Sequence, residues 1–60
     1  RDDRASYMAI GRYLDPTTGK SSYITRVYES ENRRHTAQLF YEEFGRENVD
    51  KVFIIREYGG

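Results

Sequence analysis

The sequence predicts an α+β domain: a single ββαβ unit with a three-stranded sheet of order 2-1-3 and one helix packed on one face. Three observations predict it. Two strand-like runs, SYMAIGRYL and SSYITRVYES, flank DPTTGK, a turn signal. A stretch with apolar residues at helical spacing follows, Ala37, Phe40, Tyr41 and Phe44 at i, i+3, i+4 and i+7. RENVDKVFIIREY then returns to a strand pattern with four consecutive apolar residues, Val52 to Ile55. A hairpin that runs through a helix into a third strand is solved most simply when strand 3 lies beside strand 1 and parallel to strand 2.

Each element has a local reason. Residues 1–5, RDDRA, are charged and read as a mobile arm. The hairpin covers 6–29: its strands are rich in β-branched and aromatic residues, Pro16 pre-sets φ for the turn, and Gly19 accepts φ > 0. The helix covers 31–44, with Ser30 or Asn32 as cap, Glu31 at the positive end of its dipole and Gly45 as the left-handed stop. The third strand covers 48–58. Gly59 and Gly60 form a tail, read as a frayed strand end. A conjugation tail belongs to a β-grasp plan, which needs further strands after the helix.

Pairing Asp15 with Lys20 at the turn places Met8 opposite Val27, Ile10 opposite Thr25 and Arg12 opposite Tyr23. In that register Met8, Ile10, Leu14, Tyr23 and Val27 join the helix stripe as the core. The free sheet face then carries Tyr7, Tyr13, Ile24, Arg26 and Tyr28.

Composition narrows the function. A sixty-residue chain buries only roughly 60% of its unfolded surface, so its core is small. There is no cysteine and His35 is the only histidine, which removes disulfides and leaves no metal or cofactor site to expect. No apolar run approaches the ~20 residues of a membrane span. The chain starts RDDR, without an initiator Met or an apolar leader, as a processed or truncated start would; with no cysteine, a cytoplasmic setting is expected. Ten basic and ten acidic side chains cancel, whereas nucleic-acid-binding domains usually carry a basic excess. Any such contact must therefore come from a local patch.

No enzyme is expected. His35 sits beside Arg33 and Arg34 with no nucleophile motif near it. Adjacent Glu42 and Glu43 point about 100° apart on a helix, so they are a solvated face rather than a catalytic pair. PTTGK lacks the first glycine and the following helix of a P-loop.

Binding is the expected function. A face of tyrosines with flanking cations suits stacking on unpaired bases, and tyrosine and arginine are equally the residues of protein hot spots. Arg33 and Arg34 beside the first helical amides form a second basic cluster suited to a phosphate. The candidate nucleic-acid-binding residues are Arg12, Tyr13, Lys20, Arg26, Tyr28, Arg33 and Arg34. Two edge strands also offer a route to a homodimer.

The stretch GRYLDPTTGKSSYITRVYESENRRHTAQLFYEEFGRENVDKVFIIRE resembles the small ββαβ domain of the LX-type large-subunit ribosomal proteins of archaea and their eukaryotic relatives. GRY in strand 1, Gly19-Lys20 at the turn, TRVYESEN running into the helix and the helix ending in FG carry the resemblance. It implies RNA binding through Arg12, Lys20, Arg26, Arg33 and Arg34. The hairpin, the helix with Phe40 and Phe44 before Gly45, and the last strand also resemble small phage inhibitors of uracil-DNA glycosylase, which are acidic and dimeric and occupy the enzyme's DNA groove. That resemblance implies the alternative function, a protein-binding module.

Overall fold

The computed structural model describes residues 4–57. The arm residues 1–3, Tyr58 and the Gly59–Gly60 tail lie outside the described residues. Strand β1 is Ala5–Leu14, β2 is Ser21–Ser30, helix α1 is Arg33–Phe44, a single 3-10 turn spans Arg46–Asn48, and β3 is Val49–Arg56. The sheet order is β2-β1-β3, and both neighbouring pairs are antiparallel. The hairpin register is the expected one: Met8 opposes Val27, Ile10 opposes Thr25 and Arg12 opposes Tyr23.

Local chemistry closes the hairpin. The Asp15 amide donates to the Lys20 carbonyl and the Gly19 amide to the Asp15 carbonyl, each at 2.8 Å. The Asp15 carboxylate accepts from the Thr17 amide at 2.8 Å, and Gly19 takes φ 76°. Helix α1 starts two residues later than expected. Asn32 is the cap, its side chain accepting from the His35 amide at 2.8 Å, so Glu31 precedes the helix and the first turn holds no acidic residue. The buried Ser30 and Thr36 hydroxyls lie within hydrogen-bond distance of each other and of the Asn32 carbonyl; one donates to the carbonyl and the other to its neighbouring hydroxyl, which ties the end of β2 to the first helical turn. Gly45 ends the helix with φ 89° and ψ 120°, so it takes the expected positive φ but not the left-handed helical conformation, and its amide donates to the Tyr41 carbonyl.

The face assignment is the reverse of the expected one. Tyr7, Ala9 and Gly11 of β1 are buried beneath α1, and Tyr13 is half-buried beside Phe44. Ile24, Arg26, Tyr28 and Ser30 of β2 share this face, as do Val52 and Ile54 of β3. Met8, Ile10, Leu14, Tyr23 and Val27, expected in the core, lie on the opposite face with Phe53 and Ile55.

Steric fit explains the reversal. Phe40 is fully buried and lies directly over Gly11, where a Cβ would stand 2.5 Å from the ring Cζ and closer still to Cε2. The bulkiest side chains of α1 need a shallow floor. Ala9 and Gly11 supply it, and the larger Met8 and Ile10 do not. The stripe is centred on Thr36, Phe40 and Phe44, with Phe40 and Phe44 ring centroids 4.8 Å apart.

A bulge completes the sheet. Gly11 pairs with Val52 and Tyr13 with Val49, so Arg12 faces both Asp50 and Lys51. Val49 and Val52 thus reach the same face although they are three positions apart.

Gly11→Ala is expected to destabilise the fold by about 1–3 kcal/mol, because overpacking outweighs the roughly 0.5–1 kcal/mol that alanine gains over glycine in the unfolded chain. Urea melts of the single variant, of Phe40→Leu and of the double variant form the check. Gly11→Ala should be less damaging once the ring is gone; equal penalties in both backgrounds would disprove the ring-on-glycine contact.

Candidate binding surfaces

The residues expected to form one basic and aromatic surface fall into three places. Tyr13, Arg26 and Tyr28 lie on the helix side of the sheet, engaged by the end of α1. The Tyr28 hydroxyl donates to Glu43 Oε1 at 2.6 Å, and Arg26 Nε donates to Glu43 Oε2 at 3.2 Å. The Arg26 guanidinium also stands 5.1 Å over the Phe44 ring, whose centroid is 5.8 Å from that of Tyr13. These side chains fasten β2 and β1 to the helix, so the expected free Tyr7–Tyr13–Tyr28 stacking face does not exist as such. Glu43, expected on a solvated helix face, is the acceptor that organises this cluster.

The electrostatics follow. Donation from Tyr28, then from Arg26, holds the Glu43 carboxyl below its ordinary value of 4.5. Burial, then the bond to Glu43 and its charge, push the Tyr28 hydroxyl well above its ordinary 10.0.

Arg12 and Lys20 lie at the turn end of the sheet. Arg12 projects to the face away from the helix, with Nη1 3.6 Å from Asp50 Oδ2, and Lys20 is exposed in the turn. Arg33 and Arg34 lie at the other end, where they line a pocket of about 490 Å³ with Tyr7, Asn32 and Arg56. Sequence reasoning missed Arg56 and grouped Tyr7 with Tyr13 and Tyr28 rather than with Arg33 and Arg34. The signal was available in the strand register: Tyr7 pairs with Arg56, so both side chains project to one face.

The sheet face opposite the helix is covered by no element among the described residues. Opposed residues build it row by row: Val27, Met8 and Ile55; then Thr25, Ile10 and Phe53; then Tyr23, Arg12 and the Asp50–Lys51 bulge. Tyr23 is 66% exposed, Phe53 57%, Val27 56%, Ile55 47% and Leu14 46%. A contiguous apolar patch on a small domain marks an interaction site. Its two ends differ in charge. Glu29 lies opposite Ser6, and the Glu57 amide donates to the Ser6 carbonyl at 2.9 Å. Arg4 lies at the same end and has its own partner, which leaves one net negative charge there. At the other end Arg12, Lys51 and Asp50 leave one net positive charge.

Among the described residues no group of His, Cys, Asp or Glu is arranged to hold a metal, and no helix is long and apolar enough to cross a membrane. Comparison with protein-family models, curated proteins and solved structures finds no match. The functional reading therefore rests on the chain's own surfaces.

The Glu43 cluster makes a pH prediction. A carboxyl whose folded pKa is depressed contributes stability that is present above the unfolded value, here 4.5, and lost as the pH falls through the folded value. Glu43→Gln should therefore melt below the parent at pH 6.5, and the gap should narrow as the pH falls below 4.5. Thermal melts across that range check it; a gap independent of pH would assign no role to the ionised carboxylate.

Proposed function

We propose that this domain is a non-enzymatic binding module that docks a protein surface on its open sheet face, and that the occupant is a second copy of the chain. The observation that carries the reading is the uncovered apolar patch of Met8, Ile10, Val27, Phe53 and Ile55, bordered by Tyr23 and Leu14. Tyrosine and phenylalanine on such a patch are the side chains that protein interfaces favour.

Charge favours a second copy. A two-fold axis in the interface plane and perpendicular to the strands lays each β1 antiparallel to its counterpart. The end bearing Glu29 and Glu57 then meets the end bearing Arg12 and Lys51, with Lys51 near Glu57 of the other copy. Stacked sheets pack about 10 Å apart at roughly −30°. Area sets the strength. β1 has ten residues; at about 3.3 Å each, and three strands about 4.8 Å apart, the face measures roughly 480 Å². Two such faces bury roughly 1,000 Å², the lower limit for a stable interface. The dimer is accordingly reversible rather than obligate.

A second reading has its own observation. Tyr23 and Phe53 are exposed aromatics on one sheet face, flanked by Arg12 and Lys51, an arrangement suited to stacking unpaired bases of a single strand. This moves the nucleic-acid contact from Tyr13, Arg26 and Tyr28 to the opposite face.

Sedimentation equilibrium across a protein dilution series tests the dimer. The parent should shift reversibly between monomer and dimer. Phe53→Glu should be monomeric, Lys51→Glu and Glu57→Lys should each weaken association about three- to tenfold, and the double charge exchange should restore it. A monomer at every concentration overturns the reading. Tight binding of single-stranded RNA that is lost in Tyr23→Ala and weakens with salt would put the second reading in its place.

A further inference from the structure

The pocket at the start of α1 has features that the sheet-face reading does not use. Asn32, Arg33, Arg34, Arg56 and Tyr7 line it. The fold brings them together for separate reasons. Arg33 and Arg34 are the first two residues of the helix, and their amides have no carbonyl one turn earlier within it. The Asn32 side chain is committed to the His35 amide and the Asn32 carbonyl to the Thr36 amide, so the capping acceptors leave the first two amides free. Arg56 ends β3 opposite Tyr7, on the helix side of the sheet.

Two further facts distinguish this corner from an ordinary helix start. None of the three arginines has an ion pair or side-chain hydrogen bond among the described residues, in a chain whose Arg12 and Arg26 both have carboxylate partners. Strand alternation sends Glu29 and Glu57 to the other face of the sheet, and the first helical turn holds no acidic residue. The second fact is Tyr7. It is 8% exposed, yet its hydroxyl makes no hydrogen bond to the described residues. No buried side-chain oxygen or nitrogen among them lacks a partner. The Tyr7 hydroxyl therefore reaches open space, and the space that Tyr7 lines is this pocket. A nearly buried phenol whose hydroxyl opens into a pocket lined by three arginines without carboxylate partners among the described residues lacks only an acceptor.

We infer that this pocket binds a phosphomonoester dianion, held by the guanidiniums of Arg33, Arg34 and Arg56, the free first-turn amides and the Tyr7 hydroxyl. Guanidinium matches phosphate oxygens in a bidentate fork, and the helix start adds about half a positive charge. Three cations and a dipole converging on one pocket suit a doubly charged terminal group. A phosphodiester chain would need a groove that tracks it, and the basic residues Arg12 and Lys20 are at the far end of the sheet.

NMR titrations of the Arg33 and Arg34 amides with phenyl phosphate and with dimethyl phosphate, at fixed ionic strength, test this. The monoester should saturate both amides, and the diester should bind at least several-fold more weakly. Tyr7→Phe, which keeps the buried ring, should weaken the monoester about tenfold, the effect of one hydrogen bond to a charged group. Arg34→Ala with Arg56→Ala should abolish saturation, while Lys20→Ala should leave it unchanged. Absence of saturation, equal binding of the diester, insensitivity to Tyr7→Phe or an equal loss in Lys20→Ala would each overturn the site. Because the pocket is on the helix side, these outcomes are independent of whether the open face dimerises.

Discussion

One ring on one glycine organises this molecule. Phe40 has no exposed surface and rests where Gly11 has no side chain. A buried phenylalanine is worth about 1.5–3 kcal/mol, a large share of what a core this size can supply. That contact decides which side of the sheet the helix takes. Once the helix lies over Ala9 and Gly11, Tyr7 and Arg56 stand at its start, Tyr28 and Arg26 reach Glu43 at its end, and the aliphatic residues of β1 face away. The core selects by shape, and the more hydrophobic side of β1 is the one left uncovered.

This is also where legibility ended. The element order, the sheet order and the hairpin register could be read because each depends on local chemistry or simple topology: Gly19 in its turn, Gly45 after the helix, Asp15 against Lys20. The choice of face could not be read by counting apolar residues, since both sides of β1 have them. Met8, Ile10 and Leu14 outweigh Tyr7, Ala9, Gly11 and Tyr13 in hydrophobicity. The better signal was size: small residues at positions 9 and 11, two apart on one side, opposite a helix carrying two phenylalanines. Reading that fit requires knowing the partner of each surface, which a pattern within one strand does not contain.

The candidate site shows the same division. Arg33 and Arg34 were legible as a cluster because they are adjacent at a helix start. Arg56 and Tyr7 join them only through strand pairing across most of the chain. Arg26 and Tyr28 were correctly grouped with each other, since alternation puts them on one face, but Glu43 arrives from the helix and turns a surface for strangers into an internal clamp. The clamp is solvent-exposed, with Arg26 and Glu43 side chains nearly half accessible, so it orients the end of the helix through hydrogen-bond geometry more than through the strength of its ion pair.

The placement of β3 carries a kinetic consequence. Leu14 and Ser21 pair across a short turn, so β1 and β2 can zip together locally. Met8 and Ile55 pair although they are 47 positions apart in the chain. Closing that long loop without the helix in place loses chain entropy with few contacts in return. The helix seated on Gly11 shortens the search, because it delivers the bulged start of β3 alongside Tyr13. Registration of the last strand and seating of the Phe40 ring then form one cooperative event. Its reversal would lift β3 together with the ring while the Ser30–Thr36 contact still tethers the start of the helix to β2.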